Sequence, residues 1–346
     1  MPPIINTASL NRTAEQYNPV LQVLPFMLLD PVLSELAINL LEVAYKDTKV
    51  TFLRKGSISK PYAGGDPDYE KIGKAIERSL EVKPSYAALK DHIMNYKSKL
   101  ITGNVPMATK VDNKTKKHPY EFLVLEEKVK TVAEDIISAL FFAERDEADK
   151  SPMGMFDGFG THIANDVLSG EISVAKGNQY KTGSIIAPTS GSDTAAYDKL
   201  VAFIRAAHPA LRKNAVLYIS NKTLFHCQDA LGNKISGKDV LEFEVFLRHL
   251  RGSTFTPGLN IASSEALGSG DQLILSVPRN LDFGMNTKGD EQFVQVRNPF
   301  EDPNIVQFWT QWDAGTRISN IHPKAFLIND GVQVSTELSG DYVVTS

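Results

Sequence analysis

Residues 121–149, EFLVLEEKVKTVAEDIISALFFAERDEAD, carry the strongest periodic pattern in this chain. Apolar side chains recur there every three or four positions, at Phe122, Leu125, Val129, Val132, Ile136 and Leu140. This spacing predicts an amphipathic helix that, at 1.5 Å per residue, would be about 43 Å long. The remaining positions are mainly polar, so the prediction is a helix with one buried face and one exposed face.

The exposed face of this helix is acidic, with nine Asp or Glu residues against three Lys or Arg residues between positions 121 and 149. The simpler interpretation is the solvated face of a long helix. The alternative is a contact surface for another chain, and the candidate contact residues are then Glu126, Glu127, Glu134 and Asp135.

The segment 46–85 has a weak apolar pattern for its length. It begins KDTKVTFLRKGSISK, with one acidic residue and five basic ones, and continues into a cluster of turn-forming residues, PYAGGDPD, at 61–68. Compact domains seldom contain such a long weakly apolar stretch, so we predict a basic ribbon with a flexible tip. Its candidate contact residues are Lys46, Lys49, Arg54, Lys55 and Lys60.

Before this ribbon, residues 1–20 are polar, contain three prolines and show no sustained period, which predicts an extended arm. Asp30 and Pro31 then form a plausible helix start, and apolar residues at helical spacing follow to Val43. The prediction for this region is an arm followed by a short amphipathic helix.

After the long helix, the pattern alternates between helices and strands. A turn rich in glycine and aromatic residues precedes a short helix at 161–168. We predict a mixed α/β unit from a helix at 195–207, a strand at 215–220, a helix at 221–231 and a strand at 271–278. Near the end, the sequence predicts a β-hairpin over 304–321, with its turn at Asp313, Ala314 and Gly315.

Composition narrows the class of protein. The chain has 346 residues, of which 42% are hydrophobic and 23% charged, values typical of globular proteins. Its net charge of -4 provides no overall positive field for binding nucleic acid. The sequence shows no signal-peptide core and no apolar run of 18 residues, so we expect a soluble protein of a reducing compartment without membrane contact.

Motifs for chemistry are few. The run 232–239, GNKISGKD, matches a phosphate-binding loop except at Asp239, where that loop needs Ser or Thr, and a glycine turn is the simpler interpretation. Cys227 is the single cysteine, and its neighbour His226 leaves a thiol protease open as an alternative. The seven histidines show no metal-ligand spacing. We therefore expect a protein that is not an enzyme, with no catalytic residues, cofactor or metal.

The order of these parts resembles the major capsid proteins of tailed bacteriophages, whose fold is known from phage Hong Kong 97. Three phrases are similar to that family: AERDEAD running into MGMFDGFGTHI, AVLYISNKTLFHCQDALGNKI with its closing Gly-Asn turn, and FWTQWDAGTRISNIHPKAFLIN. The resemblance implies an α+β Hong Kong 97-type capsid fold with an N-terminal arm, an extended loop, a long spine helix, an axial (A) domain and a peripheral (P) domain. The implied parts are the arm at 1–20, a first peripheral segment at 21–45, the extended loop at 46–85, the peripheral domain at 86–190 with the spine helix at 121–149, the axial domain at 191–280, and peripheral return strands with the C-terminal tail at 281–346.

The resemblance also implies a function. We expect a structural protein that assembles with itself, as hexamers and pentamers, into the icosahedral head of a tailed phage around double-stranded DNA. Expected partners are a separate scaffolding protein, portal and decoration proteins, and packaged DNA through non-specific contact. The expected location is the virion, with assembly in the cytoplasm of the host bacterium. Two alternatives stay open: the shell of an encapsulin-type nanocompartment, and an unrecognised α/β enzyme.

Overall fold

The computed structural model describes residues 7–43, 45–54, 73–92, 120–235, 242–286, 294–297 and 305–331. Within them the helices are α1 (Thr7–Gln16), α2 (Asn18–Glu35), α3 (Tyr120–Phe142), α4 (Phe159–Leu168), α5 (Ala195–Ala206), α6 (Pro209–Arg212), α7 (Asn221–Ile235) and α8 (Phe243–Thr254). The strands are β1 (Asn39–Glu42), β2 (Lys46–Arg54), β3 (Gly73–Glu81), β4 (Lys83–His92), β5 (Gln179–Tyr180), β6 (Val216–Ile219), β7 (Asn260–Ser263), β8 (Ile274–Ser276), β9 (Leu281–Asn286), β10 (Val294–Arg297), β11 (Ile305–Ile318) and β12 (Phe326–Asn329).

These strands form two five-stranded sheets and a two-stranded ribbon. In the first sheet, β11 pairs with β4 along one edge and with β10 and β9 along the other, and β1 continues the sheet beyond β9. The second sheet has the order β5-β12-β8-β6-β7. The ribbon consists of β2 and β3.

Two hydrophobic cores lie on opposite faces of the second sheet. Val216 and Tyr218 of β6 belong to the larger core, which α1, α2, α3 and the first sheet also line. Leu217 and Ile219 belong to the smaller core, together with buried residues of α5, α7 and α8. All four residues of β6 are buried because both faces of its sheet are covered, which explains the continuous apolar run in the sequence.

The long helix is confirmed, but it is shorter than predicted. It ends at Phe142, which makes it 23 residues and about 35 Å long. The carbonyl oxygen of Ala143 accepts hydrogen bonds from the Gly158 amide at 2.7 Å and from Thr161 Oγ1 at 2.7 Å, so the chain turns there. The acidic residues at 144, 146, 147 and 149 therefore lie beyond the helix, in an exposed turn.

The prediction for the N-terminal region is wrong at the level of secondary structure. Residues 7–16 and 18–20 of the predicted arm are helical rather than extended, and residues 1–6 lie outside the described residues. The helix predicted to start at Asp30 begins earlier, at Asn18, and ends at Glu35, and residues 39–42 of its predicted range form strand β1. Leu10, Ala14 and Leu21 are buried against the larger core. Pro19 lies in the first turn of α2, where a missing amide hydrogen breaks no helical hydrogen bond, so this proline begins a helix rather than preventing one.

The predicted hairpin at 304–321 is also wrong. This region is the single strand β11, which lies inside the first sheet with neighbours on both edges. Its alternation was assigned correctly, because Val306, Phe308, Thr310 and Trp312 are buried. By contrast, the elements predicted for the α/β unit are confirmed as α5, β6, α7 and β8, with bounds that differ by up to four residues.

Candidate assembly interface

The predicted basic ribbon is confirmed as a pair of strands, whose tip at 55–72 lies outside the described residues. Strands β2 and β3 pair antiparallel over nine positions, from Lys46 opposite Glu81 to Arg54 opposite Gly73. Lys46 Nζ lies 2.7 Å from Glu81 Oε1, and this ion pair lowers the pKa of Glu81. The base of the ribbon is therefore not uniformly basic, because the carboxylate of Glu81 on β3 pairs with Lys46 on β2.

A buried arginine anchors the base of the ribbon to the first sheet. Arg317 of β11 is 3% exposed, and its Nη2 lies 2.6 Å from Oδ2 of Asp282 on β9, which is 1% exposed. Arg317 Nη1 lies 2.9 Å from a carboxylate oxygen of Asp47 and donates to the Asp47 carbonyl at 3.0 Å and the Arg78 carbonyl at 3.4 Å. One guanidinium therefore contacts both ribbon strands and the sheet beneath them, which suits its planar array of donors.

Further polar contacts surround this anchor. Lys49 Nζ donates to Ser319 Oγ at 3.2 Å, and the Ser319 hydroxyl donates to Asp282. On the other strand, Arg78 Nη2 lies 2.6 Å from Asp166 Oδ2 of α4, with both side chains mostly buried. These contacts fix the direction in which the ribbon leaves the body of the protein.

Two glycines of the first sheet form a seat for the ribbon base. Gly284 of β9 and Gly315 of β11 lie opposite each other in the paired strands. A Cβ atom at Gly315 would overlap the carbonyl oxygen of Glu81, and one at Gly284 would lie 2.8 Å from Leu80 Cδ2. Gly315, which the sequence suggested as a turn residue, is thus required for a close crossing of two chain segments.

His162 lies beside the same anchor, between two cavities. It contributes to the lining of a cavity of about 330 Å³ with Arg78 and Arg317, and of one of about 240 Å³ with Ser79 and Thr316. Its Nε2 donates to the Thr316 carbonyl at 3.0 Å. Burial lowers the pKa of His162, so this imidazole is favoured in its neutral form.

The four acidic candidates on α3 differ in their environments. Glu126 pairs with Lys130 one turn further along the helix, at 3.1 Å, whereas Glu127 and Glu134 are exposed. Asp135 is partly buried, and burial together with the charge of Glu134 raises its pKa to about 6. None of the described ion pairs joins these four residues to the basic candidates of the same ribbon. Of the other basic candidates, Lys49 contacts Ser319. The backbone of Arg54 is among the described residues but its side chain is not, and Lys55 and Lys60 lie outside the described residues.

The residues that anchor the ribbon were missed by the sequence analysis. Arg317, Asp282 and Asp47 are far apart in sequence and match no short motif. A usable signal did exist, since Asp282 is the single charged residue of the strand LDFGMN, and a buried charge needs a partner.

The catalytic alternatives find no support in the described residues. The Cys227 thiol is fully buried and donates to the Ala196 carbonyl, and burial raises its pKa to about 12, so it is a poor nucleophile at neutral pH. Gly232 is buried within α7 rather than in a turn, which contradicts the predicted glycine turn and Gly-Asn turn there. Within the described ranges, no three His, Cys, Asp or Glu side chains are grouped to hold a metal ion, and no helix is long and apolar enough to cross a membrane.

Comparison with solved structures identifies the architecture. A chain of the satellite phage P4 procapsid superimposes with a TM-score of 0.52 and 14% sequence identity, covering 89% of this chain and 99% of that one. The chain has the phage-capsid fold. Chains from the capsid of the empty GTA particle and the capsid of Myoviridae phage XM1 give TM-scores of 0.49, at 14% and 12% identity, and cover 88% and 86% of this chain and 96% and 90% of their own.

No protein-family model and no curated protein sequence matches the chain. The phage-capsid fold is nevertheless shared over almost the full length of both the P4 chain and this one. The fold class expected from the sequence, α+β of the Hong Kong 97 type, is confirmed.

Proposed function

We propose that this chain is a major capsid protein, which assembles into the icosahedral head of a tailed phage and encloses double-stranded DNA. The observation that carries the proposal is the full-length match to a procapsid chain, which covers 89% of this chain and 99% of that one. A match of this extent leaves no large part of the chain without a counterpart in a shell subunit.

The anchored ribbon supports the same function. A closed shell needs one sequence to make both fivefold and quasi-sixfold contacts, so its binding elements extend from a rigid body. Here Arg317 and the seat formed by Gly284 and Gly315 hold the ribbon base against the first sheet. We infer that the ribbon is a contact arm for neighbouring copies in pentamers and hexamers.

We propose that the far end of the ribbon supplies its basic contacts. At the base, Lys46 and Lys49 already have partners within the chain. Arg54, Lys55 and Lys60 are then the basic candidates for a neighbour, and Glu127 and Glu134 on its α3 are the exposed acidic ones. Such charge pairing sets register and partner choice more than affinity.

Charge reversal at the ribbon tests this contact. We expect Arg54→Glu combined with Lys55→Glu to prevent shell formation while the thermal unfolding curve of the subunit is unchanged. The matched control is Lys213→Glu, an exposed cation of the smaller α/β unit. Normal particles from the double variant would contradict the contact, although not the capsid function itself.

The remaining parts of the proposal concern partners and location. We infer a separate scaffolding protein, portal and decoration proteins, and non-specific contact with packaged DNA, all within the virion after assembly in the bacterial cytoplasm. A structural role without catalysis agrees with the buried thiol of Cys227. The domain boundaries stated above belong to the same proposal.

Electron microscopy of the purified full-length chain, with light scattering on the same sample, tests the function. We expect hollow shells, tubes, or rings of five or six subunits. A monomer that also fails to assemble when its neighbouring genes are co-expressed would contradict the proposal. Shells that contain a protein cargo encoded beside the chain, and no DNA, would instead identify a nanocompartment.

A further inference from the structure

The outer face of strands β4 and β11 carries an exposed pair of aromatic rings. Tyr86 and Trp309 are stacked, with ring centroids 4.9 Å apart and planes 13° from parallel. Tyr86 is 59% exposed and Trp309 39% exposed. Aromatic rings of this size are normally covered or used for binding, and Trp, Tyr and Arg are the residues most enriched among strongly contributing interface contacts.

A basic depression adjoins Trp309. Its volume is about 250 Å³, and its lining includes Lys90, Arg297 and Gln307. The strand register places Lys90 of β4 and Arg297 of β10 on either side of Gln307 of β11. Both cations are exposed, and the described residues that line the depression include no acidic side chain. A carboxylate between Lys90 and Arg297 would therefore meet positive charge from two sides.

The chain itself carries a matching acidic element. The turn after α3, residues 144–149, contains Glu144, Asp146, Glu147 and Asp149 against one arginine. All four acidic residues are exposed, and the side chain of Glu147 is 87% exposed. Asp146 accepts a hydrogen bond from the Ala148 amide and Asp149 one from the Ser151 amide just after the turn, which fixes its backbone. Glu147 Oε1 lies 3.4 Å from Arg145 Nη2 of the same turn, at the long end of an ion pair and with its side chain still exposed to solvent. Glu144 and Glu147 are therefore the members that face a partner.

The turn and the depression of one subunit are at opposite ends of strand β4. Arg145 Nη1 donates to the carbonyl of Pro84, at the start of β4, at 3.3 Å. Lys90 is six residues further along this strand, which corresponds to about 20 Å. The turn of one chain therefore cannot fill its own depression, and a second copy must supply it.

We propose that the face formed by Tyr86, Trp309, Lys90 and Arg297 binds the acidic turn 144–149 of a neighbouring copy of this chain. This inference rests on the proposed shell function, and it adds an interface that does not involve the ribbon. Because the two surfaces differ, the contact is heterologous, and head-to-tail contacts of this kind form rings when the rotation between subunits closes. Two cations in a chain of net charge -4 are too few for an electrostatic site for nucleic acid, which favours the protein partner.

Charge reversal on either side tests the contact. The first variant carries Lys90→Glu and Arg297→Glu, and the second carries Glu144→Lys and Glu147→Lys. Each places like charges across the contact, so we expect each to weaken self-association roughly tenfold or more in sedimentation velocity. In an equimolar mixture of the two variants, the acidic face of the first variant meets the basic turn of the second, so opposite charges again lie across the contact. We expect the association constant of the mixture to be within about threefold of that of the unaltered chain.

The control carries Lys181→Glu and Lys213→Glu, two exposed cations outside this face, and we expect it to associate normally. Normal association of either test variant, or a mixture no better than its components, overturns the proposal. Variants that form normal shells with less nucleic acid would assign the face to nucleic acid and also overturn it. Sedimentation detects oligomers of any size and therefore measures the contact separately from shell formation. If the contact exists but the chain does not form a shell, we expect association without closed particles.

Fluorescence supplies an independent measurement. The two tryptophans are Trp309, which is on the face, and Trp312, which is buried, so a change on association is assigned to Trp309. We expect a blue shift of emission as the chain associates and none in the Trp309→Phe variant. An unchanged emission maximum in the associated chain would overturn the proposal, because the ring would still be exposed to water.

Discussion

The base of the ribbon and the smaller α/β unit are stabilised in different ways. At the ribbon base, a buried Arg317 and Asp282 pair at 2.6 Å, with Asp47 and Ser319 around them. In the α/β unit, β6 packs against α5, α7 and α8 through an almost entirely apolar core. The first region depends on a few directional contacts and the second on the sum of many non-directional ones.

The difference follows from what each region must do. An apolar core tolerates small shifts, since packing depends mainly on volume and pattern. A buried, charged and hydrogen-bonded pair tolerates little displacement, because a buried charge that loses its partner is strongly unfavourable. A shell subunit needs a defined direction for its contact arm, and the proposed function thus accounts for a polar anchor at that point.

The largest expected effect is at the anchor. Replacement of Arg317→Met leaves Asp282 charged and without its main partner, so we expect a loss of about 3–5 kcal/mol in the free energy of unfolding, measured in urea. The double variant with Asp282→Asn removes both charges and should recover much of that loss. A loss below about 1 kcal/mol in the single variant would show that the anchor contributes little.

The corresponding change in the α/β unit is Leu217→Ala, in a fully buried position of β6. We expect a loss of about 2–4 kcal/mol from the cavity and the lost burial, against almost none for Leu168→Ala, at a position that is 85% exposed. Leu217→Met should cost less than about 1.5 kcal/mol, because it conserves volume. Arg317→Lys should cost more than Leu217→Met, since a lysine cannot reproduce the contacts of the guanidinium. An equally small loss of stability in both variants would show that the proposed contrast between the regions is wrong.

The glycine seat should respond less strongly. We expect Gly315→Ala to cost about 1–3 kcal/mol, because its Cβ would overlap the Glu81 carbonyl and displace the ribbon base. The matched change in the α/β unit is Gly252→Ala, at an exposed position of α8 with open space around it. That variant should gain about 0.5–1 kcal/mol, since alanine favours helix. Equal effects of the two substitutions would argue against a close crossing at Gly315.

The smallest expected effect concerns a carboxylate that lacks a buried cation. The pKa of Asp135 is raised to about 6, above its unfolded value of about 3.9, so the folded state binds more protons in this window. Its contribution to stability is present below about pH 4 and is lost as the pH rises through about 6. We expect Asp135→Asn to be more stable than the unaltered chain at pH 7 by about 1 kcal/mol, a value reduced for partial exposure.

Thermal unfolding at several pH values measures this difference. Subtraction of the two profiles removes the contribution of His162, whose pKa is lowered by burial in both chains. Glu134→Gln should give a smaller change of the same sign, because Glu134 is the lesser cause of the raised pKa. A difference that does not vary between pH 4 and 7 would contradict the assignment to Asp135.

Local patterns in the sequence account for the parts that were predicted correctly. The elements α5, β6 and α7 follow from hydrophobic periodicity and from residues close in the chain, and the alternation of β11 was visible for the same reason. The errors at 7–20 and at 304–321 arose where prolines suggested an extended arm and a glycine suggested a turn. In both places burial against distant segments, at Leu10 and Gly315, outweighs the local signal.

The sequence by itself determined the long amphipathic helix, the main elements of the α/β unit and the resemblance to a capsid protein. Only the tertiary structure decided where α3 ends, which strands flank β11, and that Arg317 meets Asp282 and Asp47. The physical reason is that periodicity reports which face of an element is buried. It does not report the partner that buries it, and Arg317 and Asp47 are 270 residues apart in the chain.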